Sequence, residues 1–75
     1  MRLLLLEDDA TLGEGLSDFL RSEGHVVDWL TSLAETRGLS QEAFDLLLVD
    51  WNLPDGAGTD WISLLRRQGN ATPAL

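Results

Sequence analysis

Two apolar runs in this chain each end in acids, and that pattern narrows the folds open to it. Leu3 to Leu6 leads directly into Glu7, Asp8 and Asp9, and Phe44 to Val49, broken only by Asp45, leads into Asp50. The first run is too short for a helix, and the second is a near-continuous apolar stretch of the kind buried on both faces of a parallel sheet. In a parallel sheet, strands of one sense finish on one edge. Acids that follow two neighbouring strands therefore meet in one crevice, where open α/β sheets bind ligands.

Such a cluster calls for a cation, because ionised carboxylates a few ångström apart raise one another's pKa unless a counter-charge is present. With no Cys and a single His in the chain, the oxygen donors favour a hard ion, Mg2+ or Ca2+, over zinc or copper. Mg2+ suits the pattern better. It takes one or two protein carboxylates, keeps several waters and leaves positions for a phosphate, whereas Ca2+ asks for a cage of many ligands.

Between the acid-tipped runs the sequence alternates helix and strand signals. Leu12, Leu16, Phe19 and Leu20 form an apolar stripe of helical spacing, with Asp9 as cap and Gly24 as stop. Val26 to Leu30 reads as a second strand, and Ser32 with Glu35 is a capping-box pair that predicts a second helix. That helix is weakened by Gly38 and ends near Ser40 to Ala43. Asn52 to Gly58 is a loop by its Pro and Gly content, and Ile62 and Leu65 are core positions of a third helix stopped by Gly69. Thr72 to Leu75 reads as the start of a fourth strand. The order predicts a parallel sheet with right-handed crossovers and helices on both faces.

A chain of 75 residues holds one domain at most, and one that buries only roughly 60% of its unfolded surface. The absence of Cys fits a reducing cytoplasm. Thirteen acidic against five basic residues give a net charge of -8, which repels nucleic-acid phosphates, so direct DNA binding is excluded from the expectation. The opening leucines are too few for a membrane span or a signal-peptide core.

Taken together, Leu5-Leu6-Glu7-Asp8-Asp9, Gly24-His25-Val26-Val27-Asp28 and the stretch from Phe44-Asp45 through Asp50-Trp51-Asn52-Leu53-Pro54-Asp55-Gly56-Ala57-Gly58 resemble the receiver domain of two-component response regulators. Within that family the likeness is to the subfamily that carries a winged-helix DNA-binding domain. The resemblance implies a flavodoxin-like, three-layer α/β fold with strand order 2-1-3 in the part present, the third strand being an edge or completed by another chain. It implies that Asp50 is the phosphoacceptor, phosphorylated by a sensor histidine kinase, and that Mg2+ is held by Asp8, Asp50 and the backbone carbonyl of Asn52, with Glu7 holding a metal-bound water. Asp9 falls outside that set, and Pro54 and Gly56 match the loop that presents the site. The function implied is signalling in the cytoplasm, not enzymatic turnover, with transcription and DNA contact left to a C-terminal domain.

Measured against a complete receiver, residues 1–75 read as a receiver truncated at the start of the fourth strand. The family's Ser or Thr after that strand and its Lys after the fifth then have no counterpart. A bare third strand exposes Leu46 to Val49 as a pairing template, so self-association or swapping is expected. A competing reading follows, a phosphorylation-incompetent fragment that acts only by pairing through that edge.

Simpler roles stand beside the sharp ones. Acids at a helix start are favoured by its dipole, and an Asp after a strand can be a turn residue. Two acid-tipped strands plus the matched loop favour the metal site. His25 lies away from the acid-bearing ends and reads as structural; Trp29 and Trp61 read as packing residues, Trp51 as partly exposed beside the site, and Arg66 and Arg67 as complements to a helix C-terminus. Asp50-Trp51-Asn52 is similar to the nucleophile motif of haloacid-dehalogenase-type phosphatases, but Asn52 stands where their acid is needed. An EF-hand loop from Asp50 fails at its sixth and twelfth positions, Asp55 and Trp61.

Overall fold

A computed structural model describes residues 1–39 and 44–75. The apolar runs form strands β1 (Arg2–Leu6), β2 (Val26–Leu30) and β3 (Leu46–Val49), hydrogen-bonded in the order β2-β1-β3 with both pairings parallel. Helix α1 (Ala10–Ser22) links β1 to β2, and a hairpin of two-residue strands, β4 (Asn52–Leu53) and β5 (Gly56–Ala57), leads into α2 (Gly58–Arg67). The alternation of side chains along β1 divides the core. Leu4 and Leu6 face Phe44, Leu47, Leu53, Trp61 and Leu65 on the α2 side. Leu3 and Leu5 join Val27 and, on the α1 side, Leu16, Leu20 and Trp29. Burial on both faces explains why β1 from Leu3 to Leu6 is leucine at every position instead of alternating, each fully buried leucine contributing about 1.5–3 kcal/mol.

The strand order is as expected, with one refinement at β3. The N–H groups of Leu47 and Val49 donate to the carbonyls of Pro73 and Leu75 at 2.8 and 3.1 Å, and the Leu75 N–H returns a bond to Leu47 at 2.9 Å. Residues 73–75 thus lie parallel to β3, with Ala74 opposite Leu47. The outer side of β3, expected to be bare, is covered there, because an apolar strand satisfies its open groups with the nearest extended segment.

Two helix expectations are corrected. The second helix is not α-helical over its described part: Ala34–Thr36 form one 3-10 turn, after which Arg37 is extended (ψ 132°) and Gly38 takes a φ of 83°. The expected end at Ser40 to Ala43 lies outside the described residues. Glu35 spends its carboxylate on the Thr31 N–H (3.1 Å), the Thr31 hydroxyl (2.6 Å) and the Ser32 hydroxyl (3.2 Å). The turn's own N–H groups, from Leu33 and Ala34, are capped from a distance by the Asp55 carboxylate, both at 2.8 Å. The Leu33 bond chiefly, then the Ala34 bond, holds the Asp55 carboxyl below the usual aspartate range.

In α1 the cap is as expected, the Asp9 carboxylate accepting from the Leu12 N–H at 3.0 Å. The inward stripe is not. Leu12 and Phe19 are exposed, and the buried face is Gly13, Ser17 and, in part, Leu16 and Leu20. The Trp29 indole lies against this face and occupies the space that a larger residue at position 13 would need.

Ser17 is 1% exposed and its hydroxyl has no hydrogen-bond partner among the described residues. A buried unpaired hydroxyl costs more than it returns. Ser17→Ala is therefore expected to stabilise the fold by about 1 kcal/mol, measured as a raised urea midpoint with unchanged slope.

Candidate functional site

Registry of the parallel ladder places the acids. Leu6 of β1 lies opposite Val49 of β3, and the next bond, from the Asp50 N–H to the Leu6 carbonyl at 3.0 Å, sets Asp50 beside Glu7. The carboxylates of Glu7, Asp8 and Asp50 each offer an oxygen within 4.8 Å of the others. Glu7 is buried, Asp50 half-buried and Asp8 exposed, which makes a site with a closed floor and an open mouth. Asp9 is spent as the α1 cap, and its N–H steadies Glu7 by donating to the side chain at 3.2 Å.

The cluster carries a cost in the absence of a cation. Burial chiefly, with the charge of Asp50 and carboxylate contacts to Asp50 and Asp8 behind it, pushes the Glu7 carboxyl above its ordinary value, partly offset by the Asp9 N–H. Three oxygen donors of one sign, one of them desolvated, fit a hard divalent ion and no soft one. Asn52 enters differently from the acids. In the β4–β5 hairpin the Gly58 N–H donates to the Trp51 carbonyl at 2.9 Å, and Asn52 pairs with Ala57 one residue on. Bonded and non-bonded pairs alternate in antiparallel ladders, so Asn52 sits at a non-bonded pair and its carbonyl stays outside the hairpin's own bonds.

Several positions that shape the site were not read from the sequence. Gly58 opens α2 against the Asp50 backbone, and a Cβ there would overlap the Asp50 carbonyl oxygen and crowd the Val49 side chain. Asp55, read only as part of a loop, ties the hairpin to the turn after β2. Trp29 donates through its indole N–H to the Glu7 carbonyl at 2.9 Å. Only Gly58 left a visible signal, a second glycine after Asp55-Gly56. Trp51 is exposed beside Asp50, and Trp61 is buried, both as expected. His25 lies at the opposite end of the sheet, its Nδ1 3.3 Å from the Met1 amine. Arg66, expected only to complement the helix dipole, donates to the Asn70 carbonyl at 3.1 Å.

A family model for the response regulator receiver domain matches residues 3–75. Among curated proteins, the response regulator protein PmrA of Pseudomonas aeruginosa is 46% identical over 76 residues, covering 100% of this chain and 34% of that protein. A probable transcriptional regulatory protein of Salmonella typhimurium, SilR, is 40% identical, again over 100% of this chain and 33% of its own length. The chain thus spans about a third of the curated relatives it matches. Of solved structures, the non-phosphorylated HemR receiver domain from Leptospira biflexa superposes with a TM-score of 0.89 at 35% identity, covering 97% of this chain and 60% of that one.

Glu7→Gln removes one desolvated charge from the cluster. Because the folded state holds the Glu7 proton more tightly than the unfolded chain does, metal-free wild type gains stability as pH falls from above the raised value toward the ordinary 4.5. The variant is expected to melt higher than wild type in chelator at neutral pH and to lose that segment of the pH slope, both read by thermal denaturation.

Proposed function

This chain belongs to the response regulator receiver family, and we propose that within it Asp50 accepts a phosphoryl group from a phosphohistidine on a sensor kinase. The observation that carries this is the convergence of Glu7, Asp8 and Asp50 within 4.8 Å at the C-terminal ends of adjacent parallel strands. An oxygen of Asp50 attacks phosphorus; the P–N bond of the donor breaks as the new P–O bond forms, and the histidine leaves with its electron pair. The obstacle is charge, since a carboxylate is a poor nucleophile toward an anionic phosphoryl group.

Asp8, Asp50 and the Asn52 carbonyl would hold Mg2+, with Glu7 holding a metal-bound water, and the ion would supply the counter-charge and alignment that the reaction lacks. The chain's own residues do the rest. Leu6 fixes the Asp50 backbone, Gly58 lets α2 close behind it, and exposure of Asp8 leaves the mouth open to a partner's phosphohistidine. Phosphoryl acceptance of this kind is signalling, not turnover, and takes place in the cytoplasm. Regulation of transcription belongs to a longer protein of which a receiver is one part, in keeping with the similarity to SilR.

The pairing-fragment reading is less favoured. It depends on the outer side of β3, where Leu47 and Val49 already bond residues 73–75.

Incubation with acetyl phosphate and Mg2+ tests the proposal by intact mass. One phosphoryl adduct is expected on wild type and none on Asp50→Asn or with chelator present. Equal adduct on wild type and Asp50→Asn contradicts the assignment.

A further inference from the structure

The peptide that joins Glu7 to Asp8 lies just past the end of the β1–β2 ladder. The two strands are in register from Arg2 opposite Val26 to Leu6 opposite Leu30, and the Glu7 N–H makes the last main-chain bond, to the Leu30 carbonyl at 3.0 Å. The Glu7 carbonyl is bonded instead by a side chain, the Trp29 indole N–H at 2.9 Å. A peptide is planar, so a donor on its carbonyl oxygen sets the orientation of the whole unit, including the N–H and Cα of Asp8. One indole bond therefore acts on the link between two of the three acids.

The indole reaches that position because of Gly13. It lies against α1 where position 13 has no side chain, and a Cβ there would overlap the ring at Cζ2, Cε2 and Nε1. Glycine is unfavourable in a helix interior relative to alanine, and here it coincides with the place where the indole needs room.

We propose that Trp29 is a positioning residue of the acidic site: its N–H fixes the peptide between Glu7 and Asp8, and Gly13 provides the space for it to do so. The inference rests on the reading of Glu7, Asp8 and Asp50 as a Mg2+ site. Trp29 touches neither the ion nor a phosphoryl group; it acts through the Glu7–Asp8 backbone.

Titration of the 15N-labelled protein with Mg2+, followed by NMR at the amides of Glu7, Asp8 and Asp50, tests it. Trp29→Phe keeps an aromatic ring over Gly13 and removes the donor. Its Mg2+ affinity is expected to fall by about 3- to 10-fold, the equivalent of one hydrogen bond, while amide protection of Leu3 to Leu6 stays as in wild type. Gly13→Ala, which displaces the indole without deleting it, is expected to weaken Mg2+ binding comparably. In a Trp29→Ala background the same Gly13→Ala change is expected to cause no further loss. Wild-type affinity in Trp29→Phe overturns the inference, as does a further loss on adding Gly13→Ala to Trp29→Ala. A wild type with no saturable Mg2+ shift instead overturns the metal-site reading, and this inference with it.

Discussion

The parallel pairing of β1 with β3 is the constraint on which the rest depends. Leu6 opposite Val49, and the Asp50 N–H on the Leu6 carbonyl one step later, decide where Asp50 stands relative to Glu7 and Asp8. Slipping that register by one residue would exchange the faces of Leu46 to Val49 and carry Asp50 away from the other acids. The register is held by burial, since Leu4, Leu6 and Leu47 are fully enclosed on one side while Leu3 and Leu5 are enclosed on the other. Apolar packing thus holds together three carboxylates that repel one another.

Around that fixed pair of strands the site is assembled by close backbone approaches and a few long-range hydrogen bonds. Gly58 lets α2 begin directly on Asp50, and the Asp55 carboxylate ties the hairpin to the turn after β2. On the other face the Trp29 indole is wedged between Gly13 and the end of β1. Each device acts through main chain near the site, and among the described residues the carboxylates of Glu7, Asp8 and Asp50 contact one another and the Asp9 N–H that donates to Glu7. That arrangement suits a site whose ligands must remain free to take a cation.

Features that depend on apolar pattern and composition could be read from the sequence. The first and third strands and the convergence of Glu7, Asp8 and Asp50 follow from apolar runs ending in acids, the second strand from the β-branched and aromatic run Val26 to Leu30, and the Asp9 cap from its place before a helical stripe, while the strand order 2-1-3 comes from the resemblance to the receiver family. Features that depend on which side chain wins a shared space could not. The stripe Leu12, Leu16, Phe19 and Leu20 has the right period, but the buried face of α1 is centred on Gly13 and Ser17, with Leu16 and Leu20 partly buried beside them, Leu12 and Phe19 exposed, and the indole of Trp29, distant in sequence, seated against Gly13. Ser32 with Glu35 has the spacing of a helix start, yet Arg37 and Gly38 leave helical backbone too soon for more than one 3-10 turn. The cap that this turn receives comes from Asp55, more than twenty residues on, and no local motif announces it.

The most direct test of the account is where a divalent ion sits. Mn2+, which shares the oxygen-donor preference of Mg2+, broadens nearby amide resonances when added in small amounts to the 15N-labelled protein. The account predicts that Glu7, Asp8, Asp50 and Asn52 broaden first, that Asp45, beside Arg2 at the opposite end of the sheet, does not, and that excess Mg2+ reverses the effect. Broadening spread evenly over the acidic surface, or centred on the far end of the sheet, would contradict it.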